Sequence, residues 1–230
     1  MQRRYVLIPG AGGNARYWSR VTPLLANHGH EVFPLDLPNW PGATLADQAE
    51  AIARAGTGAG DVVLVAQSMG GFSAPMACAR LSVSHLFLIN AMIPEPGETP
   101  GEWWTNTGQS EAMRRHDIEE GRDPDAGFDL ETYFLHDLPP EVLDELTSGG
   151  DQEPAETLFS SIYDLSSWPN VSTTVLAARD DRFFPYEFQA RVAKERLGLP
   201  VEEIPGGHLC ALGNPGALAE RLLRDSAHWG

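Results

Sequence analysis

Lysine is almost absent from this chain: among its 230 residues only Lys194 is one, and only two residues, Cys78 and Cys210, are cysteines. Two cysteines cannot build a disulfide framework, and no Cys/His spacing has the pattern of a zinc site. Each is expected to be a small buried hydrophobe. Basic residues are scarce as a class, with 16 Lys and Arg against 32 Asp and Glu and a formal net charge of −16. A surface of that sign repels nucleic-acid phosphates and anionic lipid headgroups, so neither a nucleic acid nor a membrane is expected as partner. Long apolar runs are missing too, and none reaches transmembrane length. The basic start Met1-Gln2-Arg3-Arg4 is followed by only four apolar residues before Pro9-Gly10, too few for a signal-peptide core, so the chain reads as a cytoplasmic protein. Internal repeats and low-complexity tracts are also lacking.

What is present is ordinary for a globular protein, with 42% hydrophobic and 21% charged residues. The length suits one large domain, or one domain with an insertion. The most informative stretch is Asp61-Val62-Val63-Leu64-Val65-Ala66-Gln67-Ser68-Met69-Gly70-Gly71. Its apolar run reads as a buried strand of a parallel sheet, and the residues from 71 to 80 read as a helix. A strand ending in x-Ser-x-Gly and turning at once into a helix is the setting of a nucleophile elbow. So tight a turn needs small residues two before and two after the serine, and Ala66 and Gly70 are small.

Around that stretch the pattern alternates. Strands are expected over 4–9, 31–35, 85–90, 173–178 and 201–204, and helices over 15–27, 45–55, 186–197 and from Asn214-Pro215 onward. Thr44 with Asp47 three residues on forms a capping-box signal for the second helix. This alternation demands an α/β fold, a mainly parallel, doubly wound sheet with helices on both faces. Between about 94 and 168 the rhythm fails, with helical patches near 110–121 and 140–148 and no clear strand. Residues 1–93 and 169–230 then read as the core, and 94–168 as an insertion lying over the strand ends.

A serine hydroxyl is a poor nucleophile until a base takes its proton, and the base needs an acid to orient it. After Ser68 the chain offers Asp180-Asp181 past one strand and Gly206-Gly207-His208 past the last strand, in the order Ser, acid, His. The other histidines, His28, His30, His85, His116, His136 and His228, lack such a setting. A tetrahedral intermediate also needs two N–H donors at its oxyanion. Met69, the residue after the nucleophile, and Ala11, in the glycine-rich turn after the first strand, are the candidates.

A dinucleotide-binding reading competes, because Gly10-x-Gly12-x-x-Ala15 follows a strand and opens a helix, with Asp36 further on as a possible ribose ligand. It leaves the elbow, the acid pair and Gly-Gly-His unexplained. Another rival is a ligand-binding receptor that keeps the same residues with slow turnover or none.

The motifs VLIPGAGGNARYW, AQSMGG, DDRFFP and GGHL together resemble the α/β-hydrolase superfamily, and the resemblance runs along most of the chain. It is similar in particular to the small esterase branch of plant methyl-ester hydrolases and hydroxynitrile lyases. That branch usually has His-Gly where this chain has Pro9-Gly10, and Gly in place of Ala66, and neither departure removes a catalytic group. The resemblance implies Ser68, Asp181 and His208 as triad, since the family acid stands four residues before a proline as Asp181 does before Pro185. It implies a helical cap over 94–168, Ala11 and Met69 as oxyanion donors and Ala91-Met92 on the pocket wall; with Gly10 to Gly13 building an oxyanion hole, neither metal nor nucleotide cofactor is expected. Dehalogenase branches use an Asp nucleophile, and lyases carry a Lys beside the catalytic His where this chain has Leu209. The expected activity is cleavage of a small, apolar carboxylic ester. Trp103, Trp104, Phe128, Tyr133, Phe134 and Phe159 supply aromatic surface from which a pocket can be lined.

Overall fold

The computed structural model describes residues 2–12, 14–147 and 153–224. Six strands follow from the apolar runs: β1 (Arg4–Ile8), β2 (Glu31–Pro34), β3 (Val62–Gln67), β4 (His85–Ile89), β5 (Thr173–Ala178) and β6 (Val201–Ile204). They form one sheet in the order β2-β1-β3-β4-β5-β6, every pair parallel. The central strands are buried on both faces, which is why they read as continuous apolar runs without alternation. The outer strands β2 and β6 carry Glu31, Glu202 and Glu203, charges that discourage further strand pairing.

Side-chain alternation still sorts the core. Val6, Ile8, Leu64, Ala66 and Leu88 face α2 (Leu45–Gly56), α3 (Gly70–Cys78) and α8 (Tyr186–Leu197). Tyr5, Leu7, Val63, Val65, Phe87 and Ile89 face the other way, toward α1 (Thr22–Ala26), α9 (Cys210–Gly213) and α10 (Pro215–Arg224). Right-handed crossovers explain the division, because the chain steps outward from β1 to β2 and then reverses past β1 to reach β3. The loops after β1 and β3 therefore diverge at the carboxyl end of the sheet, leaving a crevice between them.

The helix expected over 15–27 is broken. A short 3₁₀ turn (Ala15–Trp18) is capped by the Asn14 side chain, which accepts from the Arg16 N–H at 2.8 Å. The α-helix starts afresh at Thr22, with Pro23 in its first turn, where a missing N–H costs nothing. Of Trp18, Val21, Leu24 and Leu25, the inner face that the spacing predicts for this segment, three are buried and Leu24 is partly so. In α2 the capping box forms: Thr44 Oγ1 accepts from the Asp47 N–H at 3.2 Å, and the Thr44 N–H donates to Asp47 Oδ2 at 2.9 Å.

Between β4 and β5 lie α4 (Pro100–Thr107), α5 (Gln109–Glu119), a π-helical turn (Glu131–Leu135), α6 (Pro140–Thr147) and α7 (Glu156–Phe159), with no strand among the described residues. Ser148, the expected end of the second helical patch, lies outside the described residues, as do Gly13 of the glycine-rich turn and His228. Helix α4 was not anticipated, although Thr99-Pro100-Gly101-Glu102 carries a capping box that forms here. A buried ion pair fastens the start of this excursion to the core: Arg196, at the end of α8, donates to Glu98 Oε1 at 2.9 Å. Trp103 Nε1 donates to the Ile93 carbonyl at 3.1 Å, so Trp103 is a core residue with no surface exposed. Within the described residues no helix is long and apolar enough to cross a membrane.

Candidate active site

The turn after β3 is as tight as its small residues predict. Ser68 has a left-handed backbone with φ 50°. Its N–H donates to the Ile89 carbonyl at 3.2 Å, and its own carbonyl accepts from the N–H of Gly71 at 3.1 Å and of Met92 at 2.9 Å. Side chains are excluded around it: a Cβ on Gly70 would lie 2.7 Å from the Pro9 carbonyl oxygen, and one on Gly71 would lie 2.0 Å from that of Met92. Ala91 and Met92, both buried, are thus packed against the start of α3.

The two loops expected to face Ser68 do so. His208 Nε2 lies 3.2 Å from Ser68 Oγ, and His208 Nδ1 lies 2.8 Å from Asp181 Oδ2. The other oxygen of Asp181 accepts from the backbone N–H of Phe183 and of Phe184, each at 2.9 Å. Asp181 is fully buried, His208 is 2% exposed and Ser68 9% exposed. Asp180 turns away, half exposed, and accepts from Arg179 Nε at 3.2 Å. Of the adjacent acids only Asp181 meets the histidine.

Met69 follows the serine and heads α3, so its N–H belongs to the first, unpaired donors of that helix. Gly10, in the loop after β1, is close enough that a Cβ there would stand 2.8 Å from Ser68 Cβ and 3.3 Å from Ser68 Oγ. Ala11 follows it and is exposed. Asp36, the ribose ligand of the dinucleotide reading, instead accepts from the Ala15 N–H at 2.8 Å. Its carboxylate ties the loop after β1 to the loop after β2. Among the described residues no group of three or more His, Cys, Asp or Glu side chains is placed to hold a metal ion.

Two residues that sequence reading did not single out hold the histidine loop from below. Asn90, fully buried with φ 45°, donates from Nδ2 to the carbonyls of Gly207 and His208, each at 3.2 Å, and accepts from the Ala178 N–H at 2.7 Å. Gln67 Nε2 also donates to the His208 carbonyl, at 3.3 Å. The available signal was a polar amide closing each of two buried apolar strands, a position that needs partners.

Aromatic rings roof the histidine. Phe134 stacks on His208 with centroids 4.8 Å apart and planes at 23°, while Phe183 and Phe184 meet it edge-on at 5.3 Å and 5.1 Å. Trp104 and the exposed Phe128 extend this cluster through Phe183, at 5.6 Å and 5.5 Å. Tyr133, by contrast, donates its hydroxyl to the buried Asp117 at 2.7 Å and braces the π-helical turn. A separate hollow of about 590 Å³, lined by His85, Trp168, Thr174 and Arg196, lies at the amino ends of β4 and β5, away from Ser68.

A doubly wound parallel sheet, with a serine on a strand-to-helix elbow facing a histidine and an aspartate from later strand ends, defines an α/β-hydrolase. The chain belongs to the α/β hydrolase family, whose model matches residues 5–221. It is similar to the α/β hydrolase nvfD of Aspergillus novofumigatus (strain IBT 16806), 25% identical with 96% of this chain and 95% of that protein covered. Norfluorocurarine synthase 1 of a Strychnos species is also 25% identical, with 96% and 94% covered. Among solved structures, polyneuridine aldehyde esterase superposes with a TM-score of 0.77 at 20% identity, over 98% of this chain and all of that one.

Proposed function

We propose that this protein is a serine hydrolase that cleaves a small, apolar carboxylic ester through an acyl-enzyme. The observation that carries the reading is the unbroken chain of contacts from Ser68 Oγ through His208 to Asp181, sealed from solvent at its acid end. His208 Nε2 takes the proton of Ser68 as Oγ attacks the ester carbonyl. Asp181 holds the imidazole by its Nδ1–H and stabilises the imidazolium that forms. The N–H groups of Met69 and Ala11 receive the oxyanion. Collapse of the tetrahedral intermediate expels the alcohol with the proton from His208, and water, deprotonated by the same histidine, then releases the acid.

The excursion over residues 94–168 serves as the cap in this reading. Phe134, Phe183, Trp104 and Phe128 support an apolar substrate, since they offer ring surface and edges beside the histidine and few polar partners. Similarity to polyneuridine aldehyde esterase is consistent with ester cleavage. The mechanism calls on no metal and no nucleotide, because nucleophile, base and oxyanion donors all come from the chain.

The test is a panel of p-nitrophenyl esters of increasing acyl length, assayed with wild type and Ser68→Ala in the presence of EDTA. Turnover by wild type alone, with a fluorophosphonate probe mapped to Ser68 by mass spectrometry, is the expected result. Ligand binding without turnover, or a probe on another residue, sinks the reading and favours a receptor on the same fold.

A further inference from the structure

Gly206 and Gly207 stand immediately before His208, and their use in the structure goes beyond making a turn. The Gly207 N–H donates to Asp137 Oδ2 at 2.6 Å. Asp137 belongs to neither strand end that carries the acid and the base. It follows the π-helical turn in the excursion between β4 and β5, and the next residue, Leu138, packs with Val142 and Leu212 into a small apolar cluster of its own. Three glycines cradle the carboxylate. A Cβ on Gly206 would lie 3.4 Å from Asp137 Oδ2, one on Gly207 would lie 2.8 Å from Oδ1, and one on Gly213 would lie 3.3 Å from Oδ2. A side chain at Gly207 or Gly213 would push the carboxylate off the main chain. Gly206 also needs its glycine for φ 104°, and a Cβ there would meet Asn214 Nδ2 at 2.5 Å.

Seen from the histidine, the clamp has two jaws. Below, Asn90 and Gln67 hold the carbonyls of Gly207 and His208. Above, Asp137 holds the amide of Gly207, and the His136 ring closes the remaining side, its Nε2 lying 2.9 Å from where a Gly207 Cβ would be. A glycine pair has no side chains to fix its own dihedrals, so its conformation is set by these bonds. The lower jaw fixes two carbonyls; the peptide between Gly206 and Gly207 is held at its carbonyl by the Asp180 N–H, at 3.0 Å, and at its N–H by Asp137. Asp137 Oδ1 is buried with no partner, a cost that burial of the loop alone does not require.

We propose that Asp137 is a positioning residue for His208: by accepting the Gly207 N–H from the cap side it sets the imidazole within reach of both Ser68 and Asp181. The proposal rests on the reading of those three residues as a catalytic triad. It makes the placement of the base depend on the excursion that also roofs the substrate, so substrate contacts with that segment and the geometry of proton transfer are mechanically joined.

The test uses the full-length chain and the best p-nitrophenyl ester found for wild type. Asp137→Ala, confirmed folded by circular dichroism, is expected to lower kcat by on the order of 10²-fold, the effect of about 1 Å of misplacement, with KM nearly unchanged. Asp137→Asn keeps an acceptor oxygen at the same reach and is expected to restore most of kcat. Should the Ala variant fail to fold, Asp137→Ser, polar but too short to reach the Gly207 amide, is judged by the same split. A kcat equal to wild type in Ala or Ser overturns the proposal and leaves the triad reading standing. An Asn variant as impaired as Ala also overturns it, since the amide bond would then not be what matters. Failure of wild type itself to cleave esters or to react at Ser68 would remove the triad reading first and this proposal with it.

Discussion

Ser68 and Asn90, at the ends of the neighbouring strands β3 and β4, are the two non-glycine residues among those described whose backbones enter the left-handed region, with φ 50° and 45°. They are linked through one residue, because the Ser68 N–H donates to the carbonyl of Ile89. A left-handed turn costs roughly 1–2 kcal/mol for an ordinary residue, and such outliers gather where the surroundings hold them for a purpose. At Ser68 the turn lifts a hydroxyl off the sheet. At Asn90 it swings an amide between the end of β5 and the loop that carries His208. One strained corner presents the Ser68 hydroxyl and its neighbour steadies the loop that carries His208.

Asn90→Ala is therefore expected to be costly. It strips the side-chain partner from the buried Ala178 N–H and from the Gly207 carbonyl, leaves the His208 carbonyl to Gln67, and keeps a backbone that alanine adopts poorly. An unsatisfied buried polar group costs about 1–3 kcal/mol, so urea unfolding should report a loss on the order of 3 kcal/mol. Asn90→Gly, relieved of the backbone strain, should lose less. Equal stability of Ala variant and wild type would show that these bonds are replaced by water.

Removing the charge of the acid separates two adjacent residues. Asp181→Asn keeps the shape but leaves His208 without the carboxylate that fixes its tautomer, and kcat should fall by on the order of 10⁴ on the serine-protease precedent. Asp180→Asn loses only exposed contacts with Arg179 and should stay within a few-fold of wild type. A crippled Asp180→Asn beside a healthy Asp181→Asn would reverse the assignment.

Acid should loosen two helix starts. The Thr44 hydroxyl and then its N–H hold the Asp47 carboxyl below the usual carboxylate range, and the N–H and hydroxyl of Thr99 do the same for Glu102. A carboxyl whose folded pKa lies below its unfolded one binds more protons when unfolded, so stability rises with pH through that range. The contribution is present above the unfolded pKa and is lost as pH falls through the folded one. Urea midpoints should drop between about pH 5 and about pH 2, and Asp47→Asn should flatten part of that slope. An unchanged slope in the variant would contradict this.

Neither thiol should react in the native protein. Burial pushes Cys78 and Cys210 both up to about 12, which leaves almost no thiolate at neutral pH. Iodoacetamide at neutral pH should modify neither cysteine until guanidinium unfolds the chain, and both after it does. Rapid native labelling at Cys210, which has no exposed surface, would mean that the loop after His208 opens.

The parts of this site that could be read from sequence are those encoded by neighbours in the chain. Ala66, Gly70 and Gly71 announce a tight elbow because the steric demand lies within three residues of Ser68. Asp181 and His208 announce themselves by their order and by the strands before them. The bonds made by Asn90, Gln67 and Asp137 left no such trace. Each runs from a side chain to main chain 70 or more positions away, as from Asn90 to Gly207 across 117 residues and from Gln67 to His208 across 141. A main-chain partner carries no residue type that could be searched for. The break in the first helix failed for a different reason: the apolar spacing of Trp18, Val21 and Leu25 serves a 3₁₀ turn followed by a short helix as well as one continuous helix.

Leu86 and Thr173 are register partners in adjacent strands, yet nearly the whole excursion separates them along the chain. The entropy of closing a loop grows only with the logarithm of its length, and doubling a flexible loop adds about 0.6 kcal/mol. Inserting or deleting a helix between β4 and β5 is therefore cheap, so long as Glu98 still finds Arg196 and Asp137 still finds Gly207. The sheet and the three loop ends that meet at Ser68 tolerate no such editing, since Gly71 cannot carry even one more carbon. A lineage descending from this chain has wide room to vary the excursion and almost none to vary the turn beneath it.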